Sequence, residues 1–285
     1  MPKSNSRNHA AEENALAPQK GLAIVLGSGG ARGWAHVGAL RALNELGIRP
    51  SLVTGTSIGA IIGAFYAAGA LDIADDLAAH LDWKQMARLF FEVNLPRSGL
   101  LEGRRIMQLL QTNIPVSRIE DLELRYAAVA TTLATHEEVV LKEGDLFAAI
   151  RASISIPGVF IPIELGKGTW VIDGALTNPL PVSVARNMGA TKVIGIDVNL
   201  SEKREDMKNI AAKPTLLDVL VRTVRLAENA ITRERLLREP PDVLIQPKVG
   251  HIGTLDFFRG QATVKAGYDA VMEQAGALTA LMAQK

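Results

Sequence analysis

GLAIVLGSGGARG, residues 21 to 33, runs a short apolar, β-branched stretch straight into a cluster of glycines. Gly21 to Leu26 suits a strand buried on both faces, and the glycines suit the turn that ends it. From Trp34 onward Val37, Leu40, Leu43 and Leu46 fall at helical spacing and Gly47 supplies a stop, which predicts a helix. A second short run, Ser51 to Thr54, leads through Gly55-Thr56-Ser57-Ile58-Gly59 into apolar residues that predict a helix reaching about Ala68. Two βα units in succession predict an α/β fold, a parallel sheet with helices packed on it.

Beyond these units, residues 72 to 111 read as helical segments broken by loops, and Tyr126 to Leu133 with Glu138 to Leu141 as paired strands. Phe147 to Ala152 reads as a helix, and Trp170 to Ile172, Lys192 to Val198 and Asp242 to Gln246 as strands. Pro214 to Glu239 predicts a long helix and residues 261 to 283 another. No internal repeat and no Pro- or Ser-rich linker divides residues 20 to 283, so one domain is expected there, preceded by a flexible polar tail over residues 1 to 19.

A chain of 285 residues with 48% apolar content can bury a large core. Thirty-one basic against thirty acidic residues leave a net charge of +1, which gives no global field for nucleic acid. The lack of cysteine excludes disulfides, thiolate metal sites and a cysteine nucleophile. Residues 52 to 71 carry no charge and have the length of a membrane span, but Gly55, Gly59, Gly63 and Gly69 divide them into strand, turn and buried helix. The opening residues lack the apolar core of a secretory signal, so a cytoplasmic protein is expected.

The glycine loop follows a strand and opens a helix, which makes its amides an anion site. A dinucleotide frame is absent, since Arg32 stands where the third glycine would fall, and no Lys-Ser or Lys-Thr pair completes a phosphate loop. The remaining use is an oxyanion hole. A right-handed crossover sets this loop beside the turn bearing Ser57, at the carboxyl end of the sheet. Serine needs a base. His251, in PKVGHIG, would complete the chain order Ser57, Asp173, His251 of α/β-hydrolases. Alternatively Asp173, which ends the apolar run in TWVIDGALTNPLPV, is itself the base, or else merely caps a turn. Asp197, ending KVIGIDV, has the same local look. His36 reads as a packed or surface residue. No H-x-x-x-H pair or carboxylate cluster calls for a metal, and no cofactor is expected.

GGARG at 29 to 33, GTSIG at 55 to 59 and DGA at 173 to 175 stand in the order found in patatin-like phospholipases, which the chain resembles over roughly residues 21 to 200. RASISIPGVFIPIE, 151 to 164, is also similar to that family's segment before its aspartate. The resemblance implies a three-layer α/β/α sandwich around a mostly parallel sheet, and lipid acyl hydrolysis by a Ser57-Asp173 dyad without histidine. It implies Ser57 as nucleophile, Asp173 as proton acceptor, and an oxyanion hole from Gly29, Gly30 and Ala31. Arg32 and Gly33 would hold the loop or orient substrate. Gly55, Thr56, Ile58 and Gly59 would form the elbow around Ser57, and Gly174 and Ala175 would follow the aspartate. Ser28 departs from the family, which commonly has glycine there.

Expected partners are a phospholipid, lysophospholipid or other acyl ester, with transient contact at a membrane surface and no nucleic acid. Leu89-Phe90-Phe91 and Phe257-Phe258 are candidates for an acyl trough. The helix over 214 to 239 carries Arg222, Arg225, Arg233, Arg235 and Arg238 beside its apolar stripe. The competing class is an idle module that binds an acidic partner or an acyl ligand through the glycine loop.

Overall fold

A computed structural model of the chain describes residues 18–81, 101–200 and 214–284. β1 (Gln19–Leu26) passes through a 3-10 turn (Gly30–Gly33) to α1 (Trp34–Glu45), then β2 (Pro50–Thr56), α2 (Ile58–Ala67), α3 (Leu71–His80) and α4 (Arg104–Asn113). β3 (Arg125–Thr132), β4 (Glu138–Leu141), α5 (Leu146–Ser153), β5 (Ile163–Glu164) and β6 (Trp170–Asp173) follow. The chain closes with α6 (Val182–Asn187), β7 (Lys192–Ile196), α7 (Leu216–Arg238), β8 (Val243–Ile245), α8 (Gly260–Met272) and α9 (Ala275–Ala283). Of the expected tail, residues 1 to 17 lie outside the described residues, and Gln19 already belongs to β1. The expected trough residues 89 to 91 also lie outside them.

Among the described residues one eight-stranded sheet runs in the order β5-β6-β3-β2-β1-β7-β8, with β4 on β3. β3, β2, β1, β7 and β8 are mutually parallel, whereas β4 and β6 pair antiparallel with β3. The chain moves outward from β1 to β2 and β3, and later returns to the other side as β7. The carboxyl end of β1 therefore lies at a topological switch point, where open α/β sheets place their ligands.

The apolar run of β1 explains the layers. Leu22, Ile24 and Leu26 point into a core shared with Leu40 and Leu43 of α1, Phe65 of α2 and Val271 of α8. Their alternates Ala23 and Val25 pack on the opposite face against Val182 and Ala185 of α6 and Leu236 of α7. A strand covered on both faces has no use for polar alternation, which is why this one reads as a continuous hydrophobic run.

The uncharged stretch over residues 52 to 71 divides into β2, the Ser57 turn and α2, and no helix among the described residues is long and apolar enough to cross a membrane. The single helix expected over 261 to 283 is two, separated at Glu273 and Gln274. No proline stands at that break.

α1 and α8 approach so closely that two glycines face the opposing backbone. A Cβ on Gly38 would stand 1.8 Å from the Val264 carbonyl oxygen, and one on Gly267 would stand 1.9 Å from that of Ala35. Gly38→Ala and Gly267→Ala should each destabilise by about 1–3 kcal/mol through overpacking. Gly276, in α9, is the control, because a Cβ added there would meet nothing within 4 Å. Its alanine variant should gain about 0.5–1 kcal/mol of helix propensity. Urea melts of the three check this, and equal midpoints would contradict the close packing.

Candidate active site

The turn after β2 is built by sterics. Ser57 has φ 58° and ψ −123°, a conformation that L-residues rarely occupy and that surrounding structure must enforce. Gly55 and Gly59 permit the tight elbow: a Cβ on Gly55 would lie 2.3 Å from the Gly59 carbonyl oxygen, and one on Gly59 2.2 Å from that of Leu26. The Ser57 amide donates to Ser153 Oγ at 2.9 Å, and the Thr56 hydroxyl donates to the Asn178 carbonyl at 2.8 Å, fixing the strand end against both neighbours. Ile58 packs against Gly33, which ties the elbow to the glycine loop.

Asp173 ends β6, whose last residue pairs with Ala130 of β3. Its Oδ2 accepts a 2.6 Å hydrogen bond from Ser57 Oγ, and its Oδ1 accepts from the Ala175 amide at 2.9 Å, which starts the short turn Gly174–Leu176. The two readings of this residue are thus both realised, one by each oxygen. Gly174 lies against the Val129 carbonyl, where a Cβ would not fit. Both Ser57 and Asp173 are buried. Desolvation pushes the Asp173 carboxyl up to about 7, against the opposing pull of its bonds from Ser57 and Ala175. A carboxylate so raised is a stronger base than an ordinary one and exchanges its proton near neutrality, as general-base work requires.

The glycine loop stands beside this pair. Gly30 has φ 58° and touches the Thr254 carbonyl so closely that a Cβ would come within 2.3 Å of it. Among the described residues no acceptor takes the Gly29 or Gly30 amide. The Ala31 amide differs from the expectation: it donates to the Thr254 carbonyl at 2.8 Å, so in this geometry two amides of the expected three are left for an anion. Arg32 is fully buried, donating from Nε to the Ile252 carbonyl at 2.7 Å and from a terminal nitrogen to Asn199 Oδ1 at 3.2 Å. It holds the loop in place. Ser28, the departure from the family pattern, accepts a 3.0 Å hydrogen bond from Asn199 Nδ2.

Asn199 also donates to Glu228 of α7 at 3.2 Å. Burial, and next the Asp173 charge, push Glu228 up to about 8, so a second carboxyl stands within electrostatic reach of the first. Asp197, the look-alike, caps the Asn199 amide and takes Gln246 instead of facing Ser57. His36 is buried with Nε2 on the Gly27 carbonyl at 2.8 Å. Because that oxygen can only accept, Nε2 carries the proton; burial lowers the ring to about 4 and keeps it neutral. His251 is exposed in the turn after β8 and bonds neither Ser57 nor Asp173.

An apolar trough of about 820 Å³, open mouth included, begins at Ser57 and Gly30. Its wall comes from α2, α3, α4 and the 154–160 segment, and includes Phe257. Phe258, the other expected wall residue, is exposed instead, with Arg259 stacked over its ring at 5.9 Å. Ser153, Asn199, Glu228 and Thr254 escaped the reading of the sequence. Ser153 lay inside the quoted RASISIPG stretch, whereas the other three follow no motif.

A family model described as patatin-like phospholipase matches residues 24–186. An uncharacterized NTE family protein of Mycobacterium tuberculosis is 37% identical over 195 residues, covering 67% of this chain and 54% of its own length. Patatin-like phospholipase domain-containing protein 7 of Rattus norvegicus is 32% identical over 270 residues, covering 87% of this chain and 20% of the relative. The chain thus spans about half the length, or less, of these relatives. In fold it is similar to VipD from Legionella pneumophila, with a TM-score of 0.54 at 15% identity over 92% of this chain and 67% of that one.

The raised Asp173 pKa makes a stability prediction. Between its unfolded value of 3.8 and its folded value of about 7 the native state binds the extra proton, so stability is greatest below the lower value and falls as pH rises through the upper. Asp173→Asn keeps an oxygen for the Ala175 amide and an NH₂ for Ser57 Oγ, but carries no charge. It should be more stable than the parent at pH 8, by about 4 kcal/mol at most, and the gap should close by pH 4. Thermal melts across that range check it; a gap independent of pH would contradict the assignment.

Proposed function

The chain belongs to the patatin-like phospholipase family, and we propose that it is a lipid acyl hydrolase that cleaves carboxylic esters through a Ser57-Asp173 dyad and an acyl-enzyme. The observation that carries this reading is the buried 2.6 Å hydrogen bond from Ser57 Oγ to Asp173 Oδ2 at the head of an apolar trough. In the reaction the acyl chain lies in the trough and Ser57 Oγ attacks the ester carbonyl while Asp173 accepts its proton. The tetrahedral oxyanion is met by the Gly29 and Gly30 amides. Collapse breaks the ester C–O bond, the leaving alkoxide takes the proton from Asp173, and the acyl group remains on Ser57. Water then repeats the sequence, giving its proton to Asp173 and its oxygen to the acyl carbon; Ser57 leaves and regains the proton.

Each oxyanion donor contributes on the order of 3 kcal/mol, or about a hundredfold in rate. The second Asp173 oxygen, held by the Ala175 amide, keeps the carboxylate from rotating away from the serine. The esterase reading with His251 is disfavoured because Asp173 already bonds the serine directly, with no imidazole between them.

Fluorophosphonate labelling followed by intact-mass and peptide analysis should give an adduct on Ser57 that is absent from Ser57→Ala. No adduct on folded protein would favour the idle binding module. His251→Ala should retain substantial activity. For the wild type, kcat/KM on a short-chain ester should rise about tenfold per pH unit in the acid limb and level off above roughly pH 7, where Asp173 is ionised.

A further inference from the structure

The trough has no charged residue in its wall, so it can receive an acyl chain but has nothing to recognise the alcohol side of an ester. Beyond the Thr254–Leu255 segment, which lines both spaces, lies a second pocket of about 870 Å³, open mouth included, whose wall carries Arg222, Arg225 and His251. Arg222 and Arg225 stand three residues apart on α7, one helical turn, and so share a face. Thr254 is the same residue whose carbonyl holds the Ala31 amide and abuts Gly30. The arginine-bearing pocket therefore begins one backbone segment away from the glycine loop and shares Thr254 and Leu255 with the acyl trough.

Building on the ester-hydrolase reading above, we propose that this arginine-bearing pocket is a headgroup subsite, which binds the phosphodiester of a phospholipid or lysophospholipid while its acyl chain fills the trough. A phosphate on the glycerol lies a few bonds from the ester carbonyl, and the two pockets adjoin through Thr254 and Leu255. Arginine matches phosphate through planar, paired N–H donors, and each guanidinium carries five, so a phosphate can add to the contacts these side chains already make. Two carboxylates, Asp218 and Asp256, also line the pocket and balance the two guanidiniums in charge. The Asp218 carboxyl is held low by its bonds from Thr215 and in part by Arg222, so a phosphate would be met by paired N–H donors rather than by a net positive field. Asp218 Oδ2 accepts from the Thr215 amide and hydroxyl in a capping box, and Asp256 Oδ2 accepts from the Gly253 amide. Arg225 also helps to restrain the Glu228 carboxyl, which itself feels Asp173.

The test compares phosphatidylcholine with a monoacylglycerol of the same acyl chain, both in neutral detergent micelles at 0.15 M salt so that bulk surface charge plays no part. In the Arg222→Gln/Arg225→Gln double variant the ratio of phospholipid to monoacylglycerol kcat/KM should fall at least tenfold, chiefly through KM, and the corresponding double lysine variant should restore part of it. Glycerol 3-phosphate should inhibit the wild type more strongly than the double glutamine variant. A ratio unmoved by the substitutions, or equal losses on both substrates, would overturn the headgroup subsite while leaving ester hydrolysis standing. Absence of wild-type turnover on either lipid, together with no fluorophosphonate adduct on Ser57, would instead remove the hydrolase reading beneath it.

Discussion

A hydroxyl and a carboxylate 116 positions apart in sequence meet at 2.6 Å in a place almost without water, and most of the surrounding architecture exists to hold that meeting. Neither group is content there. Ser57 sits in strained backbone, and Asp173 loses hydration that one serine and one amide only partly replace. Such a contact persists when neighbouring structure over-determines it. β2 delivers the serine, β3 separates β2 from β6, and β6 pairs antiparallel with only the last three residues of β3, so that its final residue, opposite Ala130, stops level with the end of β2. Ser153 fixes the serine's amide from α5, and Ser155 accepts the Asp173 amide. One short segment therefore braces both members of the pair, and its own Arg151 is anchored to the carbonyls of Glu102 and Ile161.

The parts legible in the sequence are those where local sterics or burial permit only one kind of residue. β1 shows as a continuous apolar run because helices cover both its faces, and the elbow shows as G-x-S-x-G because carbonyl oxygens occupy the space where side chains would go at Gly55 and Gly59. Arg32 showed as part of a motif, but its function did not; the fully buried guanidinium binds Ile252 and Asn199, contacts that exist only once the chain has come back from residue 252. Thr254 and Glu228 are illegible for the same reason. Each approaches the site through tertiary return of a segment with no motif of its own, so single-sequence pattern carries no trace of it.

The ionic landscape follows from the same packing. Asp173, Glu228 and Asp197 are all drawn upward by desolvation, and Arg32 is the buried cation that partly offsets the last two. Buried charge is tolerable when paired and hydrogen-bonded, and Asn199 supplies the joints: it donates to Ser28 and Glu228, accepts from Arg32 and is capped by Asp197. This network lies under the glycine loop, on the side away from the trough. Its effect is to fix the amides of Gly29 and Gly30 without occupying them.

A division of labour between dry and wet surroundings would, under the proposed headgroup subsite, let one cleft treat the two ends of a lipid differently. An acyl chain gains from leaving water and needs only apolar wall, whereas a phosphate loses hydration on entry and must be met by fixed donors. If both demands were met in one cavity, cations would stand next to Asp173, lower its pKa and weaken it as a base. The Thr254–Leu255 segment lines both spaces: no guanidinium enters the wall of the trough, and the Thr254 carbonyl braces the glycine loop through the Ala31 amide. No arginine is among the groups that set the Asp173 pKa, which burial raises against the bonds from Ser57 and Ala175.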